Sequence, residues 1–567
     1  MLALILTSFI TVLLFTFLGI IASKILKVKT AGLTTVFLGL VSVNTLCLLL
    51  SFAIPINILT LGGMLIGIIP FLYLQKADVI NYFSNLKHQK ISIFFSLPIV
   101  FAAAFISSNQ PLIFDAGLYH LQSIQWIESY SVVPGLANLH GRFGFNPNIF
   151  LVFSLTTFKE IFGQPIFILN FIFFSLFTHY LIHQMYLCAA FIKNYSLLFF
   201  NAAILISVTG VWLSVPEPNV LLGLGLNLST PTPDLIAILL PLYILTHTVN
   251  LQYTSNNNFE ENGIVFFILG LYVITVKLSA LPILIIPLYV LLKQKQNYKK
   301  LMGMAVLAAI VIGPWLVRNI ILSGWLIYPF YHLDLFNFDW KVPIADVIFE
   351  KNCVTGWARI PSERFLEATQ MRLFEWFPLW WSRFKLPEQL FYGLSFFMPL
   401  ISMLLLALRI IKYNALTFVV LITAYLGALF WFFLAPDIRF GFGFLLISSL
   451  SLLMFIRVQY SPVVNKFLLL TFFVYIIYFC FNEFVFINLG DNSDQIFSDF
   501  KHRIYKPLAV KKPDDFELLN YKIGNIILYY PKHEGRCFDA ALPCSMNFKK
   551  KLKARGSEIK HGFQTSH

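Results

Sequence analysis

Asp115 opens a stretch whose residue types suit group transfer: Phe114-Asp-Ala-Gly-Leu-Tyr119-His120-Leu-Gln122. It follows a Pro-containing turn and is an N-cap candidate for a helix running to about Tyr130. At helical spacing Asp115, Tyr119, Gln122 and Trp126 share one face, while Leu118, Leu121, Ile124 and Ile127 give an apolar side. Such a helix is expected to lie along a membrane interface with its polar face toward an outer cavity. An isolated Asp is more often a plain cap. Tyr119 and His120 one turn on, and a second polar cluster further along, lower the weight of that reading.

That second cluster is Asn138-Leu-His140-Gly-Arg142-Phe-Gly-Phe-Asn146-Pro-Asn148. Its glycines allow close backbone approach, and His140 and Arg142 suit a phosphate or a sugar hydroxyl. A loop that merely returns the chain to the membrane needs no such pair. Lys277, Arg318 and Arg439 stand beside apolar runs, as do Glu217, Asp234 and Asp437. Singly each reads as a snorkelling or locally paired charge, yet an enzyme handling an anionic lipid needs several cations at one depth. There is no P-loop, no Gly-rich dinucleotide turn, no HExxH and no GxSxG. No Asp-x-Asp pair accompanies Asp115, so a divalent metal is possible but not indicated, and no cofactor is certain.

The elements that must hold these groups are membrane helices. Of 567 residues 58% are hydrophobic and 12% charged, against roughly 25% charged in an average soluble domain. This excludes a disordered chain, a disulfide miniprotein and an ordinary cytosolic enzyme. Much of the net charge of +14 sits in short loops and the tail, so it reports topology and lipid headgroups rather than nucleic acid.

Apolar runs predict about fourteen spans. They lie near Leu2–Ser23, Gly32–Phe52, Ile56–Leu74, Ile91–Ile106, Ile166–Ala190, Leu197–Leu213 and Leu235–Val249. The others lie near Ile264–Val276, Leu278–Leu292, Leu301–Ile321, Leu390–Ala407, Ala415–Leu434, Phe440–Met454 and Phe467–Phe486. Gly263–Lys293 reads either as one over-long helix or as two short ones breaking at Lys277-Leu278-Ser279. Met1–Ile20 is too long for a cleavable signal and has no preceding positive charge.

Lys24, Lys27, Lys29, Lys76, Lys87, Lys90, Lys193, Lys293, Lys295, Lys299, Lys300, Arg409, Lys412, Arg457 and Lys466 all fall on one side if the spans number fourteen. Both termini then face outside the cytoplasm. The expected fold is an all-α polytopic membrane protein with interfacial helices in its outer loops and a small C-terminal outer appendage containing β structure. Membrane blocks 1–107, 166–321 and 389–486 alternate with outer segments 108–165, 322–388 and 487–567.

Cys47, Cys188 and Cys480 read as packing residues in spans, and Cys353 stands alone in an outer segment. Cys537 and Cys544 are close enough to close a small loop. An outer location permits a disulfide; two free thiols are the alternative. Tyr521–Ile523 and Ile526–Tyr530 flank Gly524-Asn525, a hairpin signal. The basic run Lys549–Arg555 is either solvated or laid against anionic headgroups.

The layout resembles the GT-C superfamily of polytopic glycosyltransferases, through the acidic residue that begins the first large outer loop. Closer similarity is to a group of uncharacterised bacterial membrane proteins. It is carried by Phe114–Gln122, Gly135–Arg142, Val276-Lys-Leu-Ser-Ala-Leu-Pro282, Arg318-Asn, Ser323-Gly-Trp-Leu-Ile-Tyr-Pro329, Asp339-Trp-Lys-Val-Pro343, Ala435-Pro-Asp-Ile-Arg-Phe-Gly441 and the Cys537/Cys544 tail. The chain departs from better-studied members by three spans before the acidic loop and by lacking a second acidic residue beside Asp115. The resemblance implies a polyprenyl-phosphate sugar donor, with Asp115 as base toward a glycan, lipid or protein acceptor at the outer face of the bacterial cytoplasmic membrane. Lys277, Arg318 and Arg439 would then stabilise the departing phosphate. Tyr119, His120, Gln122, His140 and Arg142 would position substrate. A polysaccharide polymerase or ligase, and a lipid-linked glycan transporter, are the competing classes.

Overall fold

Residues that are apolar on every side form helices in lipid because only intrahelical bonds satisfy the backbone there. The computed structural model describes residues 1–111, 113–192, 194–212, 227–251, 259–293, 298–456, 474, 502–533 and 535–565. Eight of its helices are long and apolar enough to cross a membrane: Leu2–Ile25, Leu33–Leu50, Lys76–Ser107, Leu169–Ile192, Asp234–Leu251, Tyr298–Ser323, Leu386–Ala407 and Ala415–Leu434. Shorter apolar helices cover Ile58–Leu74, Tyr195–Val211, Gly263–Val276 and Leu278–Lys293. The expected span Phe440–Met454 is instead an eight-residue helix, Phe442–Ser449, followed by a 3-10 turn, Ser451–Met454. Phe467–Phe486, Cys480, Lys193, Glu217, Lys295, Arg457, Lys466 and residues 487–501 lie outside the described residues.

Gly263–Lys293 resolves as two pieces. The Phe259–Val276 helix stops where Lys277 adopts an extended backbone, and a 3-10 segment, Leu278–Leu284, leads into the Ile285–Lys293 helix. Pro282 lies inside that segment and cannot donate to a regular helical ladder. The break sets Lys277 against Asp234, the first residue of the Asp234–Leu251 helix.

Several buried polar side chains inside the helical body are paired across helices. Asn201 and Asn250 exchange amide hydrogen bonds at 2.9 and 3.0 Å. Ser92 and Ser96 meet His183 and His179 at 3.1 and 3.0 Å. Asn44 donates to the Asn148 carbonyl at 3.0 Å, tying the second helix to the polar loop. Such pairs fix neighbours where apolar contact alone distinguishes one packing poorly from another.

The three segments expected on one side of the membrane pack on one another. The Arg142 guanidinium of the first meets Glu350 of the second at 3.1 Å. The tail meets both: Lys549 Nζ donates to the Asn138 carbonyl at 2.9 Å, and Arg555 pairs with Asp339 at 2.6 Å. The run Lys549–Arg555 is therefore docked on protein. Its residues Leu552–Ala554 form a strand, β3, that pairs antiparallel with β4, Phe563–Thr565. The expected hairpin is present as β1, Leu518–Ile523, and β2, Ile526–Pro531, with Ile523 opposite Ile526 across the two-residue turn. Cys537 and Cys544 form a disulfide; Cys47, Cys188 and Cys353 are free and buried.

Candidate active site: the Asp115 charge cluster

Asp115 is not a cap. Its side chain makes no capping hydrogen bond, and the chain is already helical there. Residues Ala116–His120 then take a π-helical turn before the α-helix Leu121–Ser129 begins. A π-turn rotates the face carried by later residues, so the expected Asp115-Tyr119-Gln122-Trp126 stripe is broken. Gln122 and Trp126, expected on the helix's polar face, are buried together with Leu121, Ile124 and Ile127.

What the Asp115 carboxylate meets is Arg439, whose Nη1 donates to Oδ2 at 3.3 Å. Its other oxygen makes no hydrogen bond among the described residues, and 28% of the side chain is exposed. Arg439 sits in the turn between the Ala415–Leu434 and Phe442–Ser449 helices, where Asp437 holds it from the other side. Asp437 accepts from Arg439 Nε at 3.2 Å, from Nη2 at 2.9 Å and from its backbone N–H at 3.0 Å. Two indoles pin this turn: Trp380 Nε1 donates to the Pro436 carbonyl and Trp431 Nε1 to that of Asp437. Beside it, Lys277 makes a close ion pair with Asp234 and lies 3.7 Å above the Phe440 ring.

Three carboxylates and two cations thus converge from four distant parts of the chain. Arg439 is the shared member, drawn to Asp437 first and also to Asp234 and Asp115. Burial would raise the Asp115 carboxyl. The Arg439 charge, with His120 and Arg142 behind it and the Arg439 hydrogen bond, outweighs burial and holds it below the ordinary carboxylate range. Asp437 is lowered in the same way against its burial, again chiefly by Arg439. Burial and the Asp115 charge push the Tyr119 phenol up, so it stays a neutral hydroxyl. Burial brings His120 down to about 4, leaving a neutral ring against Tyr119 and Phe150 whose Nδ1 has no partner.

The remaining candidates have other roles. Gln122 is fully buried and donates its amide to the carbonyls of Phe538 and Ala540, at 3.1 and 2.9 Å, inside the disulfide loop. Phe538 returns a backbone hydrogen bond to Gly117 at 2.8 Å, and an added Cβ on Gly117 would meet its ring at 2.8 Å. His140 braces its own loop, its Nδ1 accepting from the Arg142 backbone at 3.1 Å, and burial lowers it to about 3. Arg142 is matched by Glu350, whose carboxylate lies where a Cβ on Gly141 would project. Arg318 bonds to Asn146 Oδ1 and joins no carboxylate among the described residues. The three cations expected at one depth are therefore not one free group: Lys277 and Arg439 are each paired with Asp, and Arg318 stands apart.

Sequence reasoning noted Asp234 and Asp437 as flanking charges and gave them no partner, and it did not single out Glu350. The spacing Asp437-Ile-Arg439 carried the only local hint. Among the described residues no group of three or more His, Cys, Asp or Glu side chains is arranged to hold a metal ion.

A family profile described as a domain of unknown function, DUF8201, matches residues 1–446. The chain belongs to the DUF8201 family. The match takes in every member of the charge cluster and leaves the β-containing tail outside it. No curated protein and no solved structure matches the chain.

Proposed function

We propose that this DUF8201 member is a membrane glycosyltransferase that moves a sugar from a polyprenyl-phosphate donor to an acceptor hydroxyl at the outer face of the cytoplasmic membrane. The observation that carries the reading is the Asp115 carboxylate: part-exposed, held in its ionised form by Arg439, and engaged through one oxygen only among the described residues.

In the proposed reaction the free oxygen of Asp115 takes the proton of the acceptor hydroxyl as the hydroxyl oxygen attacks the anomeric carbon. The bond from that carbon to the phosphate oxygen breaks, and its electron pair leaves with the polyprenyl phosphate. One carboxylate suffices because phosphate is already a good leaving group, and attack opposite it inverts the centre. A positioned base of this kind contributes roughly 10²–10⁴-fold. Arg439 keeps Asp115 deprotonated and directed. Once donor phosphate enters, Arg439 and Lys277 are the nearest cations of the cluster to the developing charge. Tyr119 and His120, both neutral, line the Asp115 side of the site.

Incubating the purified full-length protein with defined polyprenyl-phosphate sugars and an acceptor mixture should release the lipid phosphate. A donor panel that yields no release with any sugar, while the protein remains folded, removes the assignment.

A further inference from the structure

We propose that a cavity beyond Arg142, between the Leu121–Ser129 and Tyr298–Ser323 helices, is a binding site for an oxyanion. The group would be a phosphate or carboxylate held by the Arg318 guanidinium and the Trp126 indole. The cavity is part-open with a volume of about 30 Å³, and Ser123, Trp126, Tyr130, Arg142, Asn146 and Arg318 are among its lining residues.

Two observations point to what it takes. Arg318 and Trp126 are 6% and 3% exposed, yet Arg318 Nε and Trp126 Nε1 have no hydrogen-bond partner among the described residues. Both are donors, and the fully buried unpaired lining atoms among the described residues include no acceptor. What is missing is an acceptor. The second observation is charge. Arg142, Lys277 and Arg439 each face a carboxylate, whereas the partner of Arg318 is the neutral Asn146 Oδ1. Asn146 is held in that orientation because its amide nitrogen donates to Asn319 Oδ1 at 2.7 Å. A water could satisfy an orphaned N–H, but it would leave the buried guanidinium without a counter-charge. An oxyanion answers both deficits, since a guanidinium presents parallel donors to two oxygens.

The site adjoins the Asp115 cluster without containing it. Arg142 lines the cavity and also feels the Asp115 charge. The inference does not rest on glycosyl transfer, and its test measures binding alone.

The experiment is thermal unfolding of the full-length protein in neutral detergent, with inorganic phosphate titrated at constant ionic strength against chloride. Native mass spectrometry of the protein released from anionic-lipid nanodiscs complements it. Phosphate should raise the wild-type midpoint saturably, and Arg318→Gln should weaken the response at least roughly tenfold. Trp126→Phe keeps the charge and should weaken it less. Asp115→Asn should respond like wild type, which separates failure here from failure of the transfer reading. If only lipid phosphate is retained, and is lost from Arg318→Gln, the natural source is a headgroup. Equal behaviour of wild type, Arg318→Gln and Trp126→Phe toward both probes overturns the proposal and leaves a water-filled cavity. Should Arg318→Gln fail to fold, Trp126→Phe against wild type decides.

Discussion

Asp115 and Arg439 are hydrogen-bonded at 3.3 Å across 324 positions of sequence. The contact joins the first residues after the N-terminal helices to a five-residue turn near the end of the family match, so Asp115 is placed by tertiary structure and not by its own helix.

Arg439 is the keystone of the cluster because it serves two carboxylates at once. Arg439→Gln should leave Asp437 and Asp115 without the cation they share, with Lys277 still paired to Asp234. With about a quarter of each side chain exposed, the expected loss is about 2–4 kcal/mol, below that of a fully buried pair. Asp115→Asn removes the more weakly held carboxylate and should cost under about 1 kcal/mol. Unfolding of both single variants and the double variant in detergent measures the coupling, and additive losses would deny the contact.

The tail should behave as a clamp on the helix that carries Asp115. Gly117→Ala drives a methyl group into the Phe538 ring. Gln122→Ala strands two carbonyls of the disulfide loop. Each should cost about 1–3 kcal/mol and open residues 508–565 to limited proteolysis. Reducing Cys537–Cys544, which closes a short loop, should remove roughly 2–3 kcal/mol more. A tail as resistant to protease in these variants as in wild type would show that it is held elsewhere.

Much of this was legible in the sequence, for definite reasons. Uninterrupted apolar runs mark helices because lipid leaves the backbone no alternative, and the Gly524-Asn525 turn marks the hairpin because it separates two runs rich in Ile and Tyr. Asp115 stood out as an acid that its surroundings did not require. The pairings were not legible. Glu350 lies in an ordinary amphipathic stretch, and nothing local says that it answers Arg142 over 200 positions away. Gln122 was misread because a residue on the polar side of an amphipathic helix looks the same whether it faces a cavity or the carbonyls of a docked tail.

Acid should weaken the fold through two neutral histidines. Burial lowers His120 to about 4 and His140 to about 3, whereas the unfolded chain protonates near 6.5. Because the folded pKa is depressed, their contribution is complete above about pH 6.5 and is lost as pH falls toward 4. The slope is up to about 1.4 kcal/mol per pH unit for each ring. Unfolding midpoints between pH 7 and 5 should therefore fall, and His140→Asn should flatten the curve. An unchanged slope would mean that the ring is solvated.

Gly141→Ala tests the Arg142–Glu350 pair without touching either charge. An added methyl group would lie 2.3 Å from the Glu350 carboxylate and must displace it. The expected loss is about 2 kcal/mol or more, because a buried guanidinium is left unmatched. Gly141→Ala combined with Glu350→Gln should cost less than the sum of the two. Full additivity would place Glu350 away from Arg142.

The central claim is chemical: Asp115 takes the acceptor's proton. Its most direct measurement is the initial rate of lipid-phosphate release by wild type and Asp115→Asn, compared at equal folded protein and saturating donor. The assignment predicts a fall of roughly 10²–10⁴-fold for Asp115→Asn with donor binding retained. A variant that turns over at the wild-type rate would contradict it.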